Sequence, residues 1–240
     1  SVITGGTCGS NPSIHEGRPH LTTSFGITHG TDGIIIDNGS GVQNVVRYLQ
    51  KNNVERVFML QSHLHADHTD GLPQNSYLFQ NKVKVQGIWA PVCEGADFVT
   101  VWGQRFAPHI WPVRPETFGI GMPTLYPLTA NLENSQFLPL GITAIRLNHP
   151  GGAVAYRIPH KRGDIVIATD HEPTKETNES YASFVSGARL LIADLQYRDS
   201  EYQGDVGIGG GPAMKRGGWG HATPNLLAAA RAGCQPLPKE

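Results

Sequence analysis

Four side chains of the kinds that bind divalent metal ions fall within six consecutive positions: His63, His65, Asp67 and His68. In an extended stretch, residues two apart point the same way, so His63 and His65 can chelate one metal ion. A turn beginning at Ala66 would aim Asp67 and His68 at a second ion. Imidazole and carboxylate suit zinc, with manganese as the alternative. The other interpretation, a polar surface loop of solvated histidines, is disfavoured because four such side chains lie so close together. The sequence therefore predicts a site for two divalent metal ions.

The cluster directly follows a predicted strand at 56–60, which places it in the loop at that strand's carboxyl end. Short apolar or β-branched runs bounded by turn residues predict further strands at 21–28, 33–37, 83–89, 142–147, 154–158, 165–168 and 190–193. Helices are predicted at 42–51, 179–187 and 225–232, the last after Thr223 as N-cap and Pro224 in the first turn. No repeat or linker divides the chain. The sequence therefore predicts one mixed α/β domain over residues 1–240.

Bulk composition excludes several classes of protein. The formal net charge of -1 provides no basic field to hold duplex nucleic acid or tRNA, so a small-molecule substrate is expected. Cys8, Cys93 and Cys234 are odd in number and far apart, which indicates neither a disulfide framework nor a thiolate zinc site. No apolar run reaches the roughly 18 residues of a membrane span, and the first residues do not have the pattern of a signal peptide. These features favour a cytoplasmic protein without a membrane segment.

Two segments look irregular. Residues 98–140 are rich in aromatic residues and prolines, which fits either a cover over a pocket or ordinary core and loop packing. Residues 204–220 are rich in glycine, which fits a lid or a slack loop. In this second segment, Lys215 and Arg216 could close over an anionic substrate, and a solvated surface loop is the alternative.

Several motifs, taken together, resemble the metallo-β-lactamase superfamily, in the branch that includes ribonuclease Z and small phosphodiesterases. The motifs occur in the order that this branch expects: Gly6-Thr7-Cys8-Gly9-Ser10-Asn11-Pro12, Gly33-Ile34-Ile35-Ile36-Asp37-Asn38-Gly39-Ser40-Gly41, the metal cluster, Leu147-Asn148-His149-Pro150-Gly151-Gly152, Ala168-Thr169-Asp170 and Gly218-Trp219-Gly220-His221-Ala222-Thr223. The likeness covers nearly the whole chain. It implies a four-layer αββα sandwich.

The resemblance also implies a complete set of metal ligands. His149 would join His63 and His65 at the first ion, and Asp170 would bridge both ions. His221 would join Asp67 and His68 at the second ion. The residues support this independently, since His149 and Asp170 each end a predicted strand. Taken alone, however, His149 fits a turn residue, Asp170 a turn or N-cap, and His221 a cap of the helix after Thr223.

Further residues are expected to support this site. The resemblance implies that Asp37 accepts a hydrogen bond from a ligand histidine and so fixes its tautomer. Asp194 ends a strand in a comparable way and either supports the site or only terminates the strand. His171, beside Asp170, could protonate a leaving group, but side chains of adjacent residues diverge on a strand, so a solvated histidine is expected instead.

The predicted reaction is hydrolysis. Two metal ions about 3.5–4 Å apart can share a hydroxide and stabilise charge on both attacking and leaving oxygens. Asp67 would orient this hydroxide and take up its proton. The chain has no Gly-x-Ser-x-Gly, P-loop or His-Glu-x-x-His motif, so the common competing hydrolase signatures are missing. His65 stands where oxygen-reducing iron relatives carry glutamate, which disfavours that chemistry.

The bridging aspartate and late histidine match the phosphodiesterase and glyoxalase-type branches, so cleavage of small phosphodiesters, with cyclic nucleotides among the candidates, ranks first. The chain lacks the long basic arm by which ribonuclease Z grips tRNA. Alternatives are a lactone, ester or thioester hydrolase with the same site, an RNA-processing nuclease, and a noncatalytic metal-binding protein. A homodimer is expected by analogy alone.

Overall fold

The structure is a computed structural model, and it describes residues 1–7, 9, 14–15, 18–93, 95–129, 131–132 and 135–232. Among the positions considered above, Cys8, Cys234 and residues 10–12 of the first motif lie outside the described residues. The chain forms two compact units, Ser1–Thr129 and Ala130–Glu240. The single domain over the whole chain stays a prediction.

The first unit combines a β-sheet with two α-helices in its described part. In chain order its elements are β1 (Val2–Gly6), β2 (Ile14–His15), β3 (Arg18–Pro19), β4 (Ser24–His29), β5 (Asp32–Ile36), α1 (Val42–Lys51), β6 (Arg56–Leu60), β7 (Lys84–Pro91), α2 (Phe98–Arg105) and β8 (Leu125–Leu128). Short 3-10 helices lie at Ala66–His68, Leu72–Gln74, Ser76–Phe79 and Pro115–Phe118. The sheet has the order β1-β4-β5-β6-β7-β8, and its strands from β5 to β8 are parallel.

Helix α1 forms because its apolar residues recur with helical spacing. Val42, Val45, Val46 and Leu49 lie on one face and are buried in the core of the first unit. Burial of each such side chain contributes on the order of 1.5–3 kcal/mol relative to full exposure. The helix therefore fixes the connection between β5, which leads to Asp37, and β6, which leads to the candidate metal ligands that begin at His63.

Parallel pairing places the candidate site residues of the first unit at one edge. Strands β5 and β6 pair in register, with Ile36 opposite Leu60. The next residues along each strand are therefore Asp37 on one side and Gln61 on the other. The chain after Gln61 runs directly into the cluster that begins at His63.

The second unit repeats this principle with a smaller sheet. Its described strands and α-helices are β9 (Thr143–Leu147), β10 (Ala153–Ile158), β11 (Ile165–Ala168), α3 (Lys175–Val185), β12 (Leu190–Ala193), α4 (Asp199–Gln203) and α5 (Pro224–Arg231). Short 3-10 helices lie at Ser135–Phe137 and Pro139–Gly141. The sheet order is β12-β11-β10-β9, with β10 antiparallel to both neighbours and β11 parallel to β12.

This topology brings three strand ends of the second unit together. Strands β9, β11 and β12 run in one direction, so their carboxyl ends share one edge of the sheet. His149 lies in the turn after β9, Asp170 follows β11, and Asp194 follows β12. Helices α3 and α5 pack on each other and enclose the core of this unit through residues such as Tyr181 and Ala230.

The expectation of a mixed α/β fold is confirmed, because both units combine a sheet with helices. The irregular appearance of residues 98–140 was misleading at its start, where α2 forms. Asp97 caps this helix by accepting from Thr100 N at 2.8 Å, and Phe98 and Trp102 enter the core of the first unit. This end of the segment therefore packs in the core.

None of the helices in the described residues combines the length and apolar character that crossing a bilayer would need.

Candidate metal centre

The first pair of predicted ligands, His63 and His65, lies on extended chain just after β6. His63 is buried and His65 is exposed, and His63 Nε2 lies 3.1 Å from His65 Nδ1. Two nitrogens bound to one zinc ion at about 2.0–2.1 Å lie about this far apart. Leu64, the one residue between them, packs against the core of the first unit and does not obstruct this approach. The pair can chelate one ion.

Asp67 and His68 lie in the 3-10 turn Ala66–His68 that follows. Asp67 Oδ2 lies 3.6 Å from His68 Nε2, which is too long for a hydrogen bond and suits two ligands that face one ion. Both side chains are buried. The turn therefore directs a carboxylate and an imidazole to the same point, which the alternation of an extended strand would not do.

Asp37 lies behind His68 and is fully buried. His68 Nδ1 donates to Asp37 Oδ2 at 2.8 Å, and Ser62 donates to the same carboxylate from its backbone N–H and its hydroxyl, both at 2.7 Å. Gln61 Nε2 completes the set at 2.9 Å. This is the contact that the resemblance implies, and it directs His68 Nε2 toward Asp67.

In the second unit, His149, Asp170 and His221 converge. Their ligand atoms all lie within 4.8 Å of one another. Asp170 Oδ2 lies 3.8 Å from His149 Nε2 and 4.0 Å from His221 Nε2. These separations exceed hydrogen-bonding distance, and the three side chains form a group that could hold a metal ion.

The two histidines of this group are held from behind by oxygen acceptors. His149 Nδ1 donates to the carbonyl oxygen of Gly220 at 2.9 Å. His221 Nδ1 donates to Asp194 Oδ2 at 2.7 Å. Each bond places the proton on Nδ1, so that the Nε2 lone pair faces Asp170. The donor set and these bonds fit a divalent metal ion.

Two aspartates of the site have backbone conformations that are uncommon for residues other than glycine. The φ angle is 62° at Asp37 and 50° at Asp170. Aspartate and asparagine tolerate this left-handed region better than most residues. Both strands therefore end in a sharp change of direction at the candidate site.

The glycine-rich segment 204–220 corrects one expectation. Arg216 is only 4% exposed, and its guanidinium lies over the rings of Tyr197 and Trp219. It donates to the carbonyl oxygens of Glu201 and Met214. Arg216 is therefore an internal support of this segment and is not available to close over a substrate, whereas Lys215 is exposed.

His171 corrects another expectation. It was expected to be solvated, but it is 2% exposed, and its Nδ1 accepts a hydrogen bond from Asn148 N at 3.1 Å. Burial is the largest cause of a pKa lowered to about 4. The ring is therefore neutral near pH 7 and packs at 4.7 Å from the ring of Tyr181.

The sequence did not single out Gln61, Ser62, Asn148 or Glu172, although all of them bond to the residues or segments that carry the predicted ligands. Glu172 accepts from Tyr202 OH and from the backbone N–H groups of Gly218 and Gly220. Burial alone would raise the pKa of this carboxyl, but these three donors outweigh it and leave the pKa lowered. Their position could have identified them, because all four are polar residues that lie close to a predicted ligand after a strand.

No family model matches the sequence, and a search of the curated proteins finds no match. Solved structures do match. Human tRNase Z, short form (ELAC1), is 19% identical with a TM-score of 0.62, covering 95% of this chain and 86% of that one. The metallo-β-lactamase fold protein YhfI from Bacillus subtilis is 17% identical with a TM-score of 0.55, covering 86% of this chain and 75% of that one. A diphosphatase from the PhnP family is 13% identical with a TM-score of 0.51, covering 95% and 80%. The chain has the metallo-β-lactamase fold.

Proposed function

We propose that this protein is a hydrolase that binds two divalent metal ions, zinc before manganese, and cleaves small phosphodiesters, with cyclic nucleotides among the candidate substrates. One observation carries the proposal: three predicted ligand histidines each have Nδ1 bonded to an oxygen acceptor. The pairs are His68 with Asp37, His149 with the Gly220 carbonyl, and His221 with Asp194. Such bonds hold metal-binding imidazoles in the required tautomer and orientation.

The proposed assignment of ligands follows the resemblance described above. His63, His65 and His149 hold the first ion. Asp67, His68 and His221 hold the second ion, and Asp170 contacts both.

Two bound divalent ions supply an activated water and positive charge for the attacking and leaving oxygens. Asp67 would accept the proton of the attacking water through its carboxylate, which lies 3.6 Å from His68 Nε2. Asp37, Gly220 and Asp194 keep the imidazoles from rotating. No serine or cysteine nucleophile is needed.

The choice of a phosphodiester rests on the chemistry of similar proteins and on charge. Two of the structures to which the chain is similar are named as a tRNase and a diphosphatase, and both names denote cleavage at phosphorus. The net charge of -1 favours a small substrate over a polynucleotide. A lactone, ester or thioester substrate is the second candidate, because the same ligands can serve attack at a carbonyl carbon.

The test combines metal content with hydrolysis of bis(p-nitrophenyl) phosphate. We expect about two metal ions per chain and diesterase activity that is lost in Asp67→Ala. Asp70→Ala is the matched control, since it removes a carboxylate three residues further on that hydrogen-bonds Thr22. It should retain activity. Two metals with hydrolysis of a lactone and not of the diester would select the second candidate, and a protein that binds no metal would overturn the proposal.

A further inference from the structure

We propose that Glu172 is a positioning residue that holds both ligand histidines of the second unit in place. The inference rests on the proposed metal centre and identifies a residue on which its geometry depends. Glu172 follows the predicted ligand Asp170 by two positions, and its side chain turns back into the protein, where it is 5% exposed.

The carboxylate of Glu172 fixes the chain that leads to His221. Gly218 N lies 2.9 Å from both of its oxygens, and Gly220 N lies 2.8 Å from Oε2. Tyr202 OH donates to Oε1 at 2.5 Å. Two of these donors are backbone groups within three residues of His221. The Glu172 side chain, which comes from the segment after β11, therefore fixes the backbone on the N-terminal side of His221.

The same arrangement reaches His149 through Gly220. Glu172 bonds the N–H of Gly220, and the carbonyl of Gly220 bonds His149 Nδ1. A Cβ at Gly220 would collide with His149 Nδ1 and with Pro150 Cδ, and φ there is +85°. The backbone thus approaches the imidazole as closely as glycine allows. Displacement of Gly220 would remove the acceptor that fixes the His149 tautomer.

The backbone of Glu172 ties in the third segment. Glu172 N donates to Asn148 O at 2.9 Å, and Asn148 Nδ2 donates to Glu172 O at 2.9 Å. Asn148 directly precedes His149. Glu172 is therefore bonded next to His149 and next to His221 while it lies two residues from Asp170. Glu172 therefore connects the three segments that carry His149, Asp170 and His221.

If Glu172 only stabilised the fold, other buried or half-buried carboxylates would have the same effect. The control is therefore another such carboxylate in the second unit. Asp164 directly precedes β11 and pairs with Arg157 at 2.7 Å. Among the described residues its side chain bonds to Arg157 and its carbonyl oxygen to Arg189 N and Leu190 N, none of which belongs to a segment with a predicted ligand. Asp164→Asn should lower the melting temperature and leave metal binding unchanged.

The experiment measures zinc affinity of metal-free protein by competition with a chromophoric chelator, together with melting temperature and the visible spectrum after Co²⁺ loading. Glu172→Ala should weaken zinc binding by about 10- to 100-fold and alter the Co²⁺ spectrum. Glu172→Gln should lose several-fold, since its Oε1 can still accept from a glycine N–H. Asp164→Asn should match the wild type in zinc affinity and in the Co²⁺ spectrum.

Equal zinc affinity in Glu172→Ala and wild type would overturn the inference. If Glu172→Ala does not fold, the comparison passes to Glu172→Gln, and zinc affinity equal to wild type in that variant would overturn it as well. A wild-type protein that binds no zinc is a different result, because it would contradict the proposed metal centre itself.

Discussion

His149 donates through Nδ1 to the carbonyl oxygen of Gly220 at 2.9 Å, although 71 residues separate the two along the chain. The contact joins the turn after β9 to the end of the glycine-rich segment. It also explains why position 220 requires glycine, since a Cβ would collide with the imidazole.

Gly220→Ala is expected to disrupt the centre. The added Cβ must displace either His149 or the segment before His221, so zinc affinity should fall by at least about tenfold and stability by more than about 1 kcal/mol. Chelator competition and urea unfolding provide the measurements. Gly187→Ala is the control, because Gly187 has a comparable φ of +69° with nothing within 4 Å of an added Cβ. A Gly220→Ala protein that binds zinc as tightly as Gly187→Ala would contradict the prediction.

Asp194→Asn should weaken metal binding through His221. The 2.7 Å bond from His221 Nδ1 would lose its charged acceptor, and such changes behind a ligand typically cost about 10- to 100-fold in affinity or activity. Zinc titration of the variant, with Asp164→Asn beside it, separates this effect from a loss of stability. Unchanged affinity would assign Asp194 to terminating β12 and to nothing more.

Lys215 and Arg216 should behave differently, despite being neighbours. Arg216→Ala removes a buried guanidinium from two carbonyl oxygens, so it should lower the free energy of unfolding by about 1–3 kcal/mol. Lys215→Ala should leave stability unchanged, because Lys215 is exposed. The hypothesis of an anion-binding lid predicts that Lys215→Ala raises KM several-fold for an anionic substrate. Steady-state kinetics of Lys215→Ala test this hypothesis, and an unchanged KM would contradict an anion-binding lid.

Tyr77 provides a prediction for alkaline pH. Burial raises the pKa of Tyr77 to about 12, and its buried hydroxyl has no hydrogen-bond partner among the described residues. A pKa raised above the ordinary value near 10 favours folding below pH 10 and loses this contribution as pH rises toward 12. Tyr77→Phe should therefore flatten the fall in stability between pH 10 and 12.

Urea unfolding at several pH values tests the Tyr77 prediction. At pH 7 the variant should be as stable as the wild type or more stable, because it buries one fewer unsatisfied group. Tyr126→Phe is the control, since Tyr126 is a third exposed and stacks on Trp89. A steep alkaline transition that persists in Tyr77→Phe and matches that of Tyr126→Phe would refute the assignment.

Secondary structure was predictable where apolar patterns were clean. Strands β6, β11 and β12 and helix α1 begin and end at the predicted residues, because turn residues border each apolar run. Helix α3 begins earlier than predicted, at Lys175, because Thr177 Oγ1 accepts from Thr174 N at 3.0 Å and caps its first turn. Strands β1, β2, β3 and β8 were missed. Of these, β8 contains a proline and lies at the sheet edge, where proline is tolerated.

The candidate site divides in the same way. His63, His65, Asp67 and His68 were readable from spacing alone. His149, Asp170 and His221 depended on a resemblance, because a lone histidine or aspartate in a turn has no distinguishing pattern. Glu172 was not readable at all. Its bonds reach donors 46 and 48 residues away, and only the folded chain brings these together.

The left-handed backbone at Asp37 and Asp170 determines which substitutions each position can tolerate. Asparagine and glycine fit that conformation but cannot supply a carboxylate, while glutamate supplies one but fits the backbone poorly. A library of every substitution at these two positions should therefore fall into separable groups. Asparagine and glycine variants should yield folded protein with impaired activity. β-Branched variants should yield little folded protein. Backbone shape and side-chain chemistry each narrow the choice, and aspartate satisfies both.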